Sequence, residues 1–165
     1  MSTPTIRAAV ASDAPAIAAI YAHYVLHSTI TFEEQPVDSD EIARRIAAVE
    51  AAGLPWLVRE VDGRIGAYAY ATPWRPRSAY RFSVEVTVYV ADDARGQGHG
   101  RALYTELFAQ LKALGRHAVL AGITLPNDAS IALHEAMGMT KVAHLPEVGY
   151  KFDRWLDVGY WHRLL

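Results

Sequence analysis

The chain contains 165 residues, 52% of them hydrophobic, and this suits a single domain, residues 1–165, with a sizeable buried core. Its 16 basic and 18 acidic residues are mixed along the chain, so no basic stripe indicates nucleic-acid binding. No apolar stretch reaches the ~18 residues of a membrane helix, and the absence of cysteine excludes disulfides, thiolate metal ligands and a cysteine nucleophile. The mixed charges predict a small-molecule partner. The N-terminus lacks the features of a signal peptide, which predicts a cytoplasmic protein.

A short strand over residues 6–10, followed by a helix, is predicted at the start of the chain. Asp13 can cap this helix, which is expected to end near His27 or Ser28. The apolar residues of the helix recur at a spacing that places them on one face: Ile17, Ile20, Tyr21, Tyr24 and Val25.

A second helix and a hairpin are predicted next. Asp38 or Ser39 can cap the helix, and Gly53 is placed to stop it. The apolar stripe of this helix is Ile42, Ile46 and Val49. Asp62-Gly63, the strongest short hairpin signal in the chain, separates strand-like runs over residues 56–61 and 64–71. Residues 72–79 contain two prolines and are predicted to form a loop.

The second half of the chain alternates strand-like and helix-like segments. In order, these are a strand ending at Val90, a helix from residue 102 to about 114, a strand over 117–123, a helix over 127–137, and strands over 140–145 and 158–162. This order predicts an α/β protein with a mixed, mainly antiparallel sheet and helices on both faces.

A glycine-rich turn, Arg-Gly-Gln-Gly-His-Gly-Arg over residues 95–101, connects the strand ending at Val90 to the helix that follows. Such a turn presents free backbone N–H groups at the positive end of a helix dipole, which indicates a phosphorylated ligand. The spacing fits neither a Walker loop nor the dinucleotide pattern G-x-G-x-x-G. It is Arg-x-x-Gly-x-Gly, with Arg95, Gly98 and Gly100 in the three fixed positions.

This spacing resembles the pyrophosphate motif of the Gcn5-related N-acetyltransferases, the GNAT superfamily. A second signature of that family is an Asn that opens a helix, a Tyr seven residues later and a closing Gly-Phe. Here Asn127 opens the helix, His134 stands at the Tyr position and Met139 at the Phe position.

Those departures resemble one branch of the family, the phosphinothricin N-acetyltransferases and the related methionine sulfone and methionine sulfoximine acetyltransferases. The resemblance spans about residues 6–161 and is carried by the segments 68–71, 73–75, 79–80, 87–90, 125–128, 133–135 and 157–161.

The resemblance implies a GNAT fold, acetyl-CoA as cosubstrate, no metal, and a homodimer with its active sites near the subunit interface. In this fold the pantetheine arm lies where the strand before the phosphate turn splays from the strand after the next helix. The resemblance implies that the pyrophosphate is lined by Gly96, Gln97, Gly98, His99, Gly100 and Arg101. It also implies that Asn127 bonds the pantetheine arm, although simple helix capping is an alternative role.

The chemistry of amide formation suggests three further roles. The amine must lose a proton, and Glu85, on the strand entering the turn and at the family's catalytic Glu position, is the candidate base. A backbone N–H within Val88-Tyr89-Val90 would polarise the thioester carbonyl, since splayed strands leave donors unpaired. His134 could protonate the leaving thiolate, could only hydrogen-bond it, or could be a half-buried packing residue.

The acceptor is expected to enter opposite the cosubstrate. By resemblance, the candidate substrate-binding residues are Phe32, Trp74, Arg77 and Tyr80. An Arg fork can hold a carboxylate or phosphinate bidentately. The alternative for the loop over residues 72–79 is a solvated basic turn with Trp74 packed beneath it.

The leading hypothesis is therefore an N-acetyltransferase for the α-amine of a small amino-acid-like acceptor. One alternative is acetylation of another amine, such as a polyamine or a peptide N-terminus, although the cluster Arg75, Arg77 and Arg81 favours an anionic acceptor. Another is a non-catalytic acetyl-CoA sensor, which would have no use for Glu85. His23 and His27 have i, i+4 spacing but no evident third metal ligand.

Overall fold

Seven strands form one mixed sheet in the computed structural model, which describes residues 3–165. In chain order they are β1 (Thr5–Ala8), β2 (Trp56–Val61), β3 (Arg64–Pro73), β4 (Ser83–Val90), β5 (Ala118–Thr124), β6 (Thr140–Lys151) and β7 (Arg154–Leu164). The order across the sheet is β1-β2-β3-β4-β5-β7-β6. Only β4 and β5 pair in parallel within this sheet, so the prediction of a mixed, mainly antiparallel sheet is confirmed.

Helices cover both faces of the sheet. Within residues 3–165 they are α1 (Ala14–His27), α2 (Ser39–Ala51), α3 (His99–Ala113) and α4 (Asp128–Ala136). On one face, Tyr21 and Tyr24 of α1 pack on Tyr89, with ring centroids 5.3 and 5.0 Å apart. On the other, α3 approaches Val88 and Val90, whose side chains alternate with Tyr89 along β4. None of these four helices combines the length and apolar character needed to span a bilayer.

The predicted faces of the first two helices are confirmed, because all eight apolar residues assigned to them are buried. The second helix also begins as predicted, since the Asp38 carboxylate accepts a hydrogen bond from the Glu41 N–H at 2.8 Å. Gly53 follows its end with φ +67°, a backbone conformation that favours glycine.

The predicted cap of the first helix is only partly right. Asp13 directly precedes α1, but its side chain makes no capping hydrogen bond to that helix. It accepts instead from the Val10 N–H at 2.8 Å and forms an ion pair with Arg7 at 2.7 Å. A charge-assisted bond to a guanidinium is stronger than a neutral one, which explains why the carboxylate turns toward Arg7.

The last two strands are longer than predicted and form one hairpin over residues 140–164. The turn consists of Phe152 and Asp153, both with positive φ, which is unusual for residues other than glycine or asparagine. Upstream, the register shifts between Leu145 and Gly149, a segment that contains Pro146. The sequence pattern does not predict one continuous hairpin, because Pro146 interrupts the first strand and the turn contains no glycine.

Candidate active site

The parallel pair β4 and β5 opens into a gap shortly after it forms. The strands pair only over Ser83–Glu85 and Ala118–Leu120, after which they diverge. A ladder that stops in mid-sheet leaves backbone donors and acceptors without strand partners. The gap therefore exposes polar backbone groups of both strands.

The backbone of β4 aims two donors into this gap. Antiparallel ladders alternate between residues that bond the neighbouring strand and residues whose N–H and C=O groups point away from it. The Ala91 N–H donates to the Gly66 carbonyl at 2.8 Å, which fixes the phase of this alternation in the β3–β4 ladder. Tyr89 thus bonds β3, whereas the N–H groups of Val88 and Val90 point toward the gap.

The backbone of β5 faces the same gap from the other side. The Leu125 N–H donates to the Asp157 carbonyl at 2.9 Å, so the odd-numbered residues of β5 bond β7. The N–H and C=O groups of Gly122 and Thr124 consequently point toward β4. The two strands together can hydrogen-bond the amide groups of an extended ligand arm.

A cavity of about 460 Å³ occupies the gap and its surroundings. Its walls come from β4 and β5, from α3 and α4, from the segment between α1 and α2, and from the β6–β7 hairpin. The lining includes Thr31, Phe32, Glu85, Val88, Tyr89, Tyr104, Gly122, Thr124, Asn127, Ser130, His134, Val148, Val158 and Tyr160. Glu85, His134, Asn127 and Phe32, predicted from distant parts of the sequence, thus meet in one cavity.

Glu85 carries the candidate general base on the cavity wall. Its Oε1 atom lies 3.7 Å from the position that a Cβ on Gly122 would occupy, across the end of the paired segment. Burial raises the pKa of the Glu85 carboxyl, and the positive charge of Arg75 partly opposes this rise. A carboxylate with a raised pKa is a stronger base, which suits it to remove a proton near neutral pH.

His134 is buried and both of its ring nitrogens are hydrogen-bonded. Nδ1 lies 2.7 Å from the Ser130 carbonyl, which can only accept, so Nδ1 carries the proton. Nε2 then accepts from the Tyr104 hydroxyl at 3.0 Å. Burial lowers the pKa of His134, which favours the neutral imidazole, and in that form the Nδ1–H bond to Ser130 leaves Nε2 as an acceptor.

The glycine-rich turn has the geometry of an anion site. Gly96 and Gly98 have φ values of +74° and +77°, and Gly98 is the N-cap of α3, with no side chain capping it. The N–H of Ala102 donates to the Gly98 carbonyl at 3.1 Å. The N–H groups of residues 99–101 precede this bond, have no partner within the helix and point out of its N-terminus.

The side chains of the turn take different directions. His99 is buried and neither ring nitrogen has a hydrogen-bond partner, so only its backbone can reach a bound anion. The Arg95 guanidinium lies 5.4 Å from the Tyr24 ring centroid and 3.3 Å from Asp92. Gln97 and Arg101 are exposed at the mouth of the turn.

Asn127 both caps a helix and lines the cavity. Its Oδ1 accepts from the Ser130 N–H at 3.2 Å and so caps α4, while the residue also lines the cavity. Capping and ligand contact are compatible, because the amide group keeps its N–H donors for a second partner.

Of the predicted acceptor-binding residues, only Phe32 lines the cavity; Trp74, Arg77 and Tyr80 lie outside its lining. Phe32 lines the cavity, and its ring packs directly on Gly149. Trp74 lies outside the lining but contacts Tyr160, which belongs to it, at a ring-centroid distance of 5.5 Å. Tyr80 is 42% exposed, at the end of the short 3₁₀ turn Ser78–Tyr80.

Arg77 lines a second depression, of about 360 Å³, together with Arg75, Arg81 and Arg116. None of the described residues lining this depression is a carboxylate, so four guanidinium groups share it without an acidic neighbour in the lining. Arg75 is the arginine whose charge also acts on Glu85 and Tyr160. The basic loop is thus electrostatically coupled to the cavity.

Tyr104 and Thr31 were not predicted as site residues. Tyr104 follows Leu103 on the apolar face of α3, where its spacing is that of a core residue. Thr31 gave no signal beyond its position next to Phe32. Trp161, at the end of the segment 157–161 that carries part of the family resemblance, is 2% exposed and belongs to the core.

The two histidines with i, i+4 spacing lie on α1 with ring centroids 5.4 Å apart. Nε2 of His23 is 3.5 Å from Asp92. In the part of the chain that the structure describes, no three His, Asp or Glu side chains are grouped as metal ligands would be.

Comparison with known proteins places this geometry in a family. Residues 6–159 match the family model of the acetyltransferase (GNAT) domain. The chain is 47% identical over 162 residues to phosphinothricin N-acetyltransferase from Alcaligenes faecalis, covering 98% of this chain and 82% of that protein. It is 40% identical to L-methionine sulfoximine/L-methionine sulfone acetyltransferase from Salmonella typhimurium, covering 94% and 91% respectively.

A solved structure agrees with the fold and with the ligand that the gap suits. The GNAT superfamily phosphinothricin acetyltransferase from Sinorhizobium meliloti, in complex with AcCoA, superposes with a TM-score of 0.95 at 39% identity, covering 99% of this chain and 89% of that one. The chain therefore belongs to the GNAT acetyltransferase family and is an N-acetyltransferase with acetyl-CoA as its cosubstrate.

Proposed function

We propose that residues 1–165 form a single catalytic domain that transfers the acetyl group of acetyl-CoA to the α-amine of a small amino-acid-like acceptor. The acceptor class is that of phosphinothricin, methionine sulfoximine and methionine sulfone, the substrates named for its relatives. The amine attacks the thioester directly, with Glu85 as base. The observation that carries this proposal is the Glu85 carboxylate on the wall of the cavity opened by the diverging strands.

The gap accounts for binding of the cosubstrate. Its pyrophosphate would accept hydrogen bonds from the free N–H groups of residues 99–101, with Gly96, Gln97 and Gly98 forming the turn around it. The pantetheine amides would pair with the inward backbone groups of Gly122 and with the Asn127 side chain. Three residues of β4 are candidate donors to the thioester carbonyl. The alternation of backbone hydrogen bonds along the β3–β4 ladder favours the N–H groups of Val88 and Val90. The Tyr89 N–H bonds β3, and its ring packs on Tyr21 and Tyr24.

Proton removal by Glu85 completes the transfer. The ammonium form of an α-amine cannot attack, so its proton passes to the carboxylate, directly or through a water molecule, as the nitrogen reaches the carbonyl carbon. The N–C bond then forms and the C–S bond breaks. The second proton that the nitrogen loses passes to the departing thiolate, and Glu85 returns its own proton to solvent, so that a neutral amide and free thiol result. The raised pKa of Glu85 supports this role, because it narrows the gap in proton affinity between base and amine.

His134 has a secondary role in this proposal. A neutral imidazole with Nδ1–H committed to Ser130 has no proton to give from Nε2. It holds the Tyr104 hydroxyl in place, on the lining of the same cavity. A thiolate, with a reference pKa of about 8.5, is a tolerable leaving group without a dedicated acid.

The anionic end of the acceptor would lie toward the basic loop. Phe32 provides an apolar surface in the cavity, and Trp74 connects the cavity to the loop through Tyr160. The guanidinium of Arg77, with Tyr80 nearby in sequence, would then bind a carboxylate or phosphinate in the depression that it shares with Arg75.

The acceptor class is tested by one panel, scored by release of free thiol from acetyl-CoA. The panel contains methionine sulfone, methionine sulfoximine and phosphinothricin, with spermidine and a short peptide as the other-amine arms. We expect turnover of the three amino-acid-like acceptors and little of the others. Preference for spermidine or the peptide would contradict the proposed acceptor, and absence of turnover with every amine would contradict catalysis.

We also propose a homodimer in the cytoplasm. Large exposed apolar residues are concentrated on the β6–β7 hairpin: Val142, Val148, Tyr150, Phe152 and Trp155, the last of them 62% exposed. An apolar surface of this kind is typical of a protein interface. Sedimentation should give a dimer for the native chain and a monomer for Trp155→Glu, while Leu114→Glu, an exposed residue after α3, should remain dimeric. A native monomer at micromolar concentration would refute the dimer.

A further inference from the structure

The wall of the cavity on the acceptor side is formed by an irregular segment. Residues 28–38, between α1 and α2, contain no helix or strand, yet Ile30, Thr31 and Phe32 line the cavity from this segment. Irregular segments are mobile unless specific contacts fix them. The position of the wall therefore depends on the anchors that hold residues 28–38.

Two anchors connect the segment to the helices beside it. The Tyr21 hydroxyl lies 2.7 Å from Thr31 Oγ1, which fixes the segment to α1. Arg45 donates to both carboxylate oxygens of Glu33, at 2.6 and 2.9 Å, which fixes it to α2. Neither anchor determines the distance between this segment and the hairpin that forms the facing wall.

A buried lysine supplies that third anchor. Lys151, at the end of β6, is 1% exposed, and its Nζ donates to the Thr31 carbonyl at 2.9 Å. Burial lowers the pKa of Lys151, while the nearby charge of Glu34 opposes this. An ammonium group taken out of water toward a carbonyl is costly for folding. A methionine of similar shape would avoid that cost, so stability alone gives no reason for a lysine here.

Gly149 contributes to the same anchor. It lies two residues before Lys151, so both project from the same face of β6, and both are buried while Tyr150 between them is exposed. A Cβ on Gly149 would stand only 2.2 Å from the Phe32 ring. Two positions of the hairpin thus hold two neighbouring residues of the segment. Lys151 holds Thr31, and Gly149 gives room to the ring of Phe32.

The hairpin that carries this anchor also forms the facing wall, through Val148, Val158 and Tyr160. We propose that Lys151 is a positioning residue that sets the width of the acceptor site by fixing Thr31 and Phe32 against the hairpin. This inference rests on the proposed function, because it presumes that an acceptor occupies the space beside Phe32. Lys151 itself touches neither substrate and acts through the segment over residues 28–38.

The test compares Lys151→Met with Lys112→Met, the same change at an exposed lysine on α3. We expect Lys151→Met to raise the acceptor KM by about tenfold or more, the loss typical of a charge-assisted hydrogen bond. The KM for acetyl-CoA should be unchanged, and the thermal midpoint should be equal or higher. Gly149→Ala, which displaces Phe32, should give the same split between the two KM values. Lys112→Met should change neither.

A second readout separates this inference from the proposed function. Amide hydrogen exchange within residues 28–38 should quicken in Lys151→Met and not in Lys112→Met, whichever amine the enzyme accepts. Faster exchange in Lys151→Met, together with a native enzyme that acetylates no amino-acid-like acceptor, would refute the proposed substrate while supporting the anchor. An unchanged acceptor KM in an active Lys151→Met enzyme would overturn the positioning role. Unfolding of both Lys151→Met and Gly149→Ala would assign these residues to fold stability and would also overturn it.

Discussion

Replacement of Glu85 by Gln removes the proposed base while keeping the size of the side chain. Loss of a general base typically costs about 10²–10⁴ in rate, equivalent to roughly 2.7–5.5 kcal/mol of transition-state stabilisation. We expect a fall of that size in kcat/KM for the acceptor, with unchanged acetyl-CoA affinity. Glu50→Gln, an exposed carboxylate on α2, is the matched control and should retain full activity.

The pH dependence identifies the group. Below its pKa the Glu85 carboxyl is protonated and cannot act as a base, so kcat/KM should fall on the acid side, at a pH above the ordinary carboxyl range because burial raises this pKa. The Gln variant should lack this acidic limb. The charge of Arg75 lowers the same pKa, so Arg75→Met should move the limb to higher pH.

Stability gives an independent check on the same carboxyl. Because its pKa is raised in the folded state, the folded protein binds this proton more tightly than the unfolded chain does, and stability falls as pH rises from the ordinary carboxyl pKa through the raised one. Glu85→Gln should therefore unfold at a higher temperature than the native chain at neutral pH, and the difference should vanish in acid. Thiol-release kinetics from pH 5 to 9, with melting curves, measure both effects. Near-native turnover of the Gln variant with an unchanged pH profile would refute the assignment.

Three further outcomes are expected. Gly98→Val should abolish acetyl-CoA binding in calorimetry because the turn needs φ of +77°, whereas Gly53→Val, equally strained at +67° but far from the turn, should lose only stability. Arg77→Ala should raise the acceptor KM by about tenfold or more and remove the preference for a free acid over its methyl ester, while Arg44→Ala should not; equal turnover of acid and ester by the native enzyme would contradict the clamp. His134→Phe should lower kcat less than loss of the base does, and a loss as large would restore the general-acid role.

The predictions for the cosubstrate side rest on local signals in the sequence. The turn over residues 95–101 is contiguous. Gly96 and Gly98 have positive φ, and Gly100 lies in the first turn of α3. Asn127 precedes a helix in the sequence and caps it in the structure. Glu85 alternates with buried valines along β4. The sequence therefore also predicts that its side chain points to the face opposite those valines.

The acceptor side depends on contacts between distant residues and could not be read in the same way. Lys151 and Thr31 are 120 positions apart, and Tyr104 and His134 are 30 apart. A buried lysine has the sequence appearance of a surface residue, and a tyrosine on an apolar helix face has that of a core residue. The strands β6 and β7 are longer than the predicted segments 140–145 and 158–162, because the turn between them has no glycine to mark it.

In the proposed mechanism one strand, β4, carries both the base and the donor to the thioester carbonyl, and its geometry bears on how the proton would travel. Side chains alternate along β4, so the Glu85 side chain faces the cavity while the edge of the strand presents the Val88 N–H to the gap. At a rise of about 3.3 Å per residue, three positions separate these groups by about 10 Å along the strand. A glutamate side chain spans only part of that distance. The remainder suits the acceptor nitrogen and one water molecule, which favours proton removal through water over direct contact.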